Sequence, residues 1–213
     1  MKLVIIDTQA GNLGSVYSAF KRIGSDPLVS NKKEDIEAAT ALVLPGVGAF
    51  EHGMKNLHKL GLVELIKKKA CVEKTPIIGI CLGMQLLADT STETNDGSEL
   101  EGLGLVSGKV KRLKGKLPDF LVPNIGWYDV VKSKESSLFP DSYSTKAFYH
   151  VHSYFFDADD NGDVAACINY GGQNVVVALE KNNVFGAQFH PEKSQDAGLD
   201  YLKRFVDYVK EKA

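Results

Sequence analysis

Apolar residues gather in short continuous runs, separated by longer stretches in which they recur every three or four positions. Leu3 to Ile6, Ala41 to Leu44 and Pro76 to Ile80 are continuous runs, which suit strands buried on both faces. In Asn12 to Ile23, by contrast, Leu13, Val16, Phe20 and Ile23 share one helical face. Lys33 to Ala39, Phe50 to Leu57 and Leu62 to Val72 read as further helices. This alternation predicts an α/β protein whose parallel sheet carries helices on both faces, with its crevice beyond the carboxyl ends of the strands. After Leu87 the texture changes. Thr90 to Ser98 is polar and loop-like, and β-rich segments follow: Val106 to Leu113, Trp127 to Val131, Ala147 to Phe156, Val164 to Asn169 and Val175 to Glu180. Antiparallel pairing is expected among them. A last strand, Val184 to Phe189, runs into His190-Pro191-Glu192, and Gly198 to Lys210 is an amphipathic helix.

Candidate chemistry starts at Thr75 to Leu87, where an apolar strand ends at Cys81 and a helix-patterned segment begins at once. Gly79 and Gly83 stand two residues either side of the cysteine, the spacing of an elbow that lifts a nucleophile above a sheet. A helix start there would supply free N–H groups and partial positive charge, favouring a thiolate. A free cysteine in an apolar run is otherwise an ordinary small core residue. The flanking glycines weaken that reading, because core packing does not call for them.

A cysteine nucleophile needs a base, and the base needs an orienting group. His52 and His58 sit in helical stretches among polar neighbours and read as surface residues, while His150 and His152 share one face of a strand. His190 directly follows an apolar strand, and Pro191 biases it towards an extended conformation. In an extended segment Glu192 would project beside the imidazole. Alone, the triplet could equally be a strand-end turn.

Composition narrows the setting. A chain of 213 residues with 44% hydrophobic content can bury a substantial core as one domain. Cys71, Cys81 and Cys167 are far apart and form no CxxC pair, which suggests neither a disulfide framework nor a zinc site. No apolar run reaches membrane length and the N-terminal run is too short for a signal peptide, so a cytoplasmic location is expected. A net charge of −2 advertises no nucleic acid partner. The basic run Lys109 to Lys116 reads as a solvated strand face.

Gly79-Ile80-Cys81-Leu82-Gly83-Met84-Gln85, His190-Pro191-Glu192 and Pro45-Gly46-Val47-Gly48 together resemble the class I (triad) glutamine amidotransferases. Asn124-Ile125-Gly126-Trp127, Tyr149 to Tyr154 and His190 to Ser194 look most like the glutaminase subunit of imidazole glycerol phosphate synthase, in histidine biosynthesis. The resemblance implies one domain over 1–213, a flavodoxin-like three-layer sandwich with a largely parallel central sheet plus a smaller antiparallel sheet. It implies Cys81, His190 and Glu192 as catalytic residues acting on L-glutamine, with the Val47 and Leu82 N–H groups as oxyanion hole. Gly48, Gln85, Ser153 and Tyr154 are carried over as substrate contacts, and Gln85 also lies one helical turn beyond Cys81. No cofactor or metal is implied. Ammonia would pass to a (β/α)₈-barrel cyclase, with Lys193 and Asn12 at the junction. The first loop departs from the family's Tyr-Gly-x-Gly-Asn, reading Thr8-Gln9-Ala10-Gly11-Asn12. That departure keeps open an amidotransferase for another acceptor, such as a surface-sugar amination pathway. An inactive regulatory subunit is the alternative of a different kind.

Overall fold

The computed structural model describes residues 1–9, 11–94, 98–114 and 121–212, without the side chains of 144 and 145. The first half holds β1 (Leu3–Ile6), α1 (Leu13–Arg22), β2 (Leu28–Ser30), α2 (Lys33–Glu37), β3 (Ala41–Gly46), α3 (Phe50–Leu60), α4 (Val63–Lys67), β4 (Ile77–Cys81) and α5 (Leu82–Gln85). The second is mainly β: β5 (Thr90–Ser91), β6 (Leu100–Glu101), β7 (Gly108–Arg112), β8 (Asn124–Asp129), β9 (Val131–Lys132), β10 (Ala147–His152) and β11 (Tyr154–Ala158). It ends with β12 (Val164–Tyr170), β13 (Gln173–Lys181), β14 (Val184–Ala187) and α6 (Gln195–Lys212).

The main sheet runs β2-β1-β3-β4-β14 in parallel and continues through β13, β11 and β7 with antiparallel pairing; β10 and β8 form a separate two-stranded antiparallel sheet. Alternation within fully buried strands builds a core on each face. Leu3, Ile5, Ala41 and Val43 pack with Val16 and Phe20 of α1 and Leu202 and Phe205 of α6. Val4, Ile6, Leu42 and Leu44 pack with Ile36, Met54, Leu57 and Ile66 of α2, α3 and α4. Each run is therefore apolar throughout because it has no solvent face, and the result is the expected three layers.

Register decides where the chemistry can be. Gly46 pairs with Cys81 across β3 and β4, and Ala187 pairs with Ile80 across β14 and β4. The segments leaving these three adjacent parallel strands therefore emerge along one edge of the sheet. That edge lies at the carboxyl ends, where open α/β sheets form their crevices.

Two expectations change in detail. Leu62 to Val72 is not one α-helix: α4 passes into a π-helical turn at Lys68–Val72, where Asn183 Nδ2 donates to Ala70 O at 2.9 Å. The buried Lys69 Nζ likewise donates to Glu37 O at 2.9 Å, so contacts from outside the helix claim groups in its last turn. Ala147 to Phe156 is two strands in different sheets, broken at Ser153, where the Ser153 carbonyl accepts from Leu113 N at 2.8 Å. The edge strand β2 and the short pair β5–β6 carry too few apolar residues to stand out by period.

Candidate active site

Cys81 occupies the elbow between β4 and α5 with φ 54° and ψ −110°, a conformation L-residues rarely adopt. The glycines around it serve close approach. A Cβ on Gly83 would lie 1.7 Å from Leu44 O, and one on Gly79 would lie 2.5 Å from Gly83 O. The turn that carries Cys81 is thus pressed directly against β3. The helix that follows is shorter than its pattern predicts: α5 is a single turn, Leu82–Gln85. The macrodipole of a long helix is therefore absent, and the free N–H groups of that turn carry the electrostatics.

His190 is anchored at both ends of its residue. Its N–H donates to Tyr149 O at 2.9 Å, and Ser194 Oγ donates to its carbonyl at 2.7 Å. His190 itself is extended, but Pro191–Lys193 forms a 3-10 turn in place of the extended triplet expected from the sequence. The turn still delivers the carboxylate, because Nδ1 and Glu192 Oε1 are 2.8 Å apart. Both side chains are almost wholly buried. Burial opposes charge on the ring, but the Cys81 sulfur and the Glu192 carboxylate outweigh it and raise the His190 pKa to about 10. Among the described residues His190 Nε2 has no partner within ordinary hydrogen-bonding distance, and the Cys81 sulfur lies near enough to favour the charged ring.

Cys81 and His190 open into one cavity of about 280 Å³, near the lower end of small-ligand pockets. Val47 and Gly48 line it from the turn after β3, Leu82 and Gln85 from α5, and Ser153 and Tyr154 from the break between β10 and β11. Gln85 Nε2 donates to Tyr154 O and to Gln188 Oε1, both at 3.0 Å, so its amide nitrogen is held by the protein. Asn12 and Lys193 lie outside this cavity. Asn12 caps α1 by accepting from Ser15 N at 3.4 Å, and Lys193 Nζ stands 5.9 Å above the Tyr149 ring. In the first loop Thr8 is buried and its carbonyl accepts from Asn56 Nδ2 at 2.9 Å, while Ala10 lies outside the described residues.

Glu93 and His152 also line the cavity, and neither stands out by pattern. Glu93 comes from the polar loop after Leu87, where no periodicity marks any residue. Its carboxylate accepts from Phe50 N at 3.0 Å, and burial raises its pKa. His152 contacts Tyr154 O at 2.8 Å and Asn124 Nδ2 at 3.2 Å, held as part of the wall. His52 and His58 are exposed, as their polar neighbours predict. In the basic run Lys109 pairs with Glu99 and Lys111 with Asp157 on the surface; Gly115 and Lys116 lie outside the described residues.

A parallel sheet with a strained cysteine at one strand end and a buried histidine–carboxylate pair at its neighbour is the arrangement that a cysteine-dependent hydrolase of the α/β type would need. Residues 4–208 match the family model of the class-I glutamine amidotransferases, and the chain belongs to that family. Its curated relatives include imidazole glycerol phosphate synthase subunit HisH 2 of Methanococcus maripaludis, 40% identical over 96% of this chain and 98% of the relative. Subunit HisH of Thermosynechococcus vestitus is 41% identical over 98% of both. Among solved structures, a glutamine amidotransferase superposes with a TM-score of 0.71 over 97% of this chain and 98% of the other. The structure of PurLQS from Thermotoga maritima contains a chain that gives 0.70 over 98% of both. At 21% and 18% identity these two speak for the fold alone.

Proposed function

We propose that this chain is the glutaminase subunit of an imidazole glycerol phosphate synthase, hydrolysing L-glutamine and handing the ammonia to a cyclase in histidine biosynthesis. Near-full-length identity of about 40% to HisH subunits supports the pathway. The observation that carries the chemistry is the buried His190–Glu192 contact of 2.8 Å beside Cys81, whose sulfur lies near enough to favour the charged ring.

In the reaction the Cys81 thiolate attacks the side-chain amide carbon of glutamine, and the carbonyl π electrons move to oxygen. The Val47 and Leu82 N–H groups hold that oxyanion. His190, charged at neutral pH, gives its Nε2 proton to the amide nitrogen as the C–N bond breaks, and ammonia leaves. Neutral His190 then takes a proton from water, which attacks the thioester and releases glutamate with the thiolate restored. Glu192 keeps Nδ1 protonated and supports the cationic ring. Gln85 has turned both amide hydrogens towards the protein, so it offers substrate its carbonyl oxygen. Glu93 lines the same cavity and supplies the carboxylate that would receive the substrate ammonium group.

The partner is a (β/α)₈-barrel cyclase, and the pair works in the cytoplasm. Ile125, Trp127 and Leu121 leave large apolar surfaces exposed, and Trp127 packs on Tyr149 beneath Lys193. This face adjoins Pro123 and Val151 of the cavity wall, so a partner docked there would shelter departing ammonia. The test is glutamate release with and without the cyclase and its nucleotide ligand. Strong activation by both is expected; indifference to the cyclase would overturn the pathway assignment.

A further inference from the structure

Gln188 lies between β14 and His190, fully buried, and no step above uses its side chain. Its backbone N–H donates to Val177 O at 2.9 Å, seating the residue against β13. The orientation of its amide follows from a chain of contacts. Tyr154 O is a backbone carbonyl and only accepts, so the Gln85 side-chain atom 3.0 Å away must be nitrogen. That nitrogen also meets a Gln188 side-chain oxygen at 3.0 Å. Gln188 therefore turns its own nitrogen the other way, where Nε2 lies 3.9 Å from Cys81 Sγ. Through two interlocked amides, one carbonyl on the substrate wall determines that the nucleophile faces a donor.

The geometry points to Gln188 as a positioning residue of the reaction: its amide N–H favours the Cys81 thiolate and links the sulfur to the wall that Gln85 and Tyr154 build. An N–H aimed at sulfur stabilises the anion more than the thiol, and does so strongly in a buried site. The contact is long, as catalytic hydrogen bonds often are before substrate binds. The role also explains an amide at this position. An apolar residue of similar size would fill the space but leave both Gln85 and Cys81 without this partner. The inference rests on Cys81 as the nucleophile proposed above.

Gln188→Glu keeps an oxygen for Gln85 but replaces the donor to sulfur with a carboxylate whose charge itself opposes the thiolate, so Gln188→Leu, which adds no charge, decides whether the donor matters. In a Cys71→Ser background, the rate of Cys81 alkylation by iodoacetamide is followed against pH without glutamine. The midpoint is expected to rise by about one pH unit, with kcat for glutamine hydrolysis falling about tenfold and KM little changed. Gln188→Leu should give the same direction. A folded variant that alkylates with the wild-type pH profile overturns the inference. Should both variants fail to fold, the wild-type protein still decides: with glutamine-labelled chain, the Gln188 side-chain NH₂ resonances must move with Cys81 ionisation, and unmoved resonances overturn it. Alkylation is independent of turnover, so absent glutaminase activity with a shifted profile would sink the proposed function and leave this role standing.

Discussion

The Lys193 ammonium stands 5.9 Å above the centroid of the Tyr149 ring, and Trp127 packs on that ring at 5.8 Å. A cation, a phenol and an indole thus share one outward face of the β10–β8 sheet, immediately beside the cavity wall. The two aromatic members of this cluster, Trp127 and Tyr149, are of the residue types that dominate interface hot spots. Trp127→Ala is expected to weaken cyclase binding about tenfold or more, measured by titration calorimetry. Because Trp127 is 47% exposed in the isolated chain, its thermal midpoint should hardly change.

In the proposed mechanism Glu192 acts through His190, so removing its charge should be felt in turnover more than in substrate binding. Glu192→Gln is expected to lower kcat by about 10²-fold to 10⁴-fold with a much smaller change in KM. The pair also contributes to stability. Against burial, Cys81 first and Glu192 second raise the His190 pKa on folding from its ordinary 6.5 to about 10, so the part that Glu192 supplies is complete below pH 6.5 and is lost as pH rises through 10. Chemical denaturation should therefore show Glu192→Gln less stable than wild type at pH 7, with the gap narrowing towards pH 11.

At the acid end two buried histidines, His150 and His152, contribute. Burial lowers the His152 pKa to about 4, against the supporting contact with Tyr154 O, and His190 lowers it further. Burial pushes His150 down as well, with His152 and His190 adding to the effect, and neither of its ring nitrogens has a hydrogen-bond partner among the described residues. Unfolded histidine takes up a proton near pH 6.5, whereas these stay neutral in the fold, so stability falls as pH drops from 6.5 towards 4. For His152 alone the loss is roughly 3 kcal/mol by pH 4. His150 packs against the rings of Tyr128, His152 and Phe189, so His150→Phe should fit. Urea midpoints between pH 7.5 and 4.5 are expected to fall less steeply in that variant than in wild type.

Most of the fold was legible because its strands are buried on both faces. Runs such as Leu3–Ile6 and Ile77–Cys81 have no polar alternation to blur them, and the helices between them keep one apolar side. The Cys81 elbow was legible through its two glycines, whose reason is the Leu44 carbonyl pressed against Gly83. What escaped depended on contacts made only in three dimensions. The break at Ser153 follows from pairing with two different sheets, and the π turn after α4 from side chains far along the chain. Gln188 reads as one more residue of an apolar strand end until Gln85 and Cys81 close on it across 103 and 107 positions of sequence.

The central claim is that the Cys81 sulfur forms the bond to glutamine while the ammonia consumer is a separate subunit. The most direct measurement is product formation by the cyclase complex carrying Cys81→Ala, with glutamine or with ammonium salt as nitrogen source. The account predicts no detectable glutamate and no glutamine-dependent product, with ammonium-dependent synthesis retained. Glutamate release at the wild-type rate from that complex would contradict it.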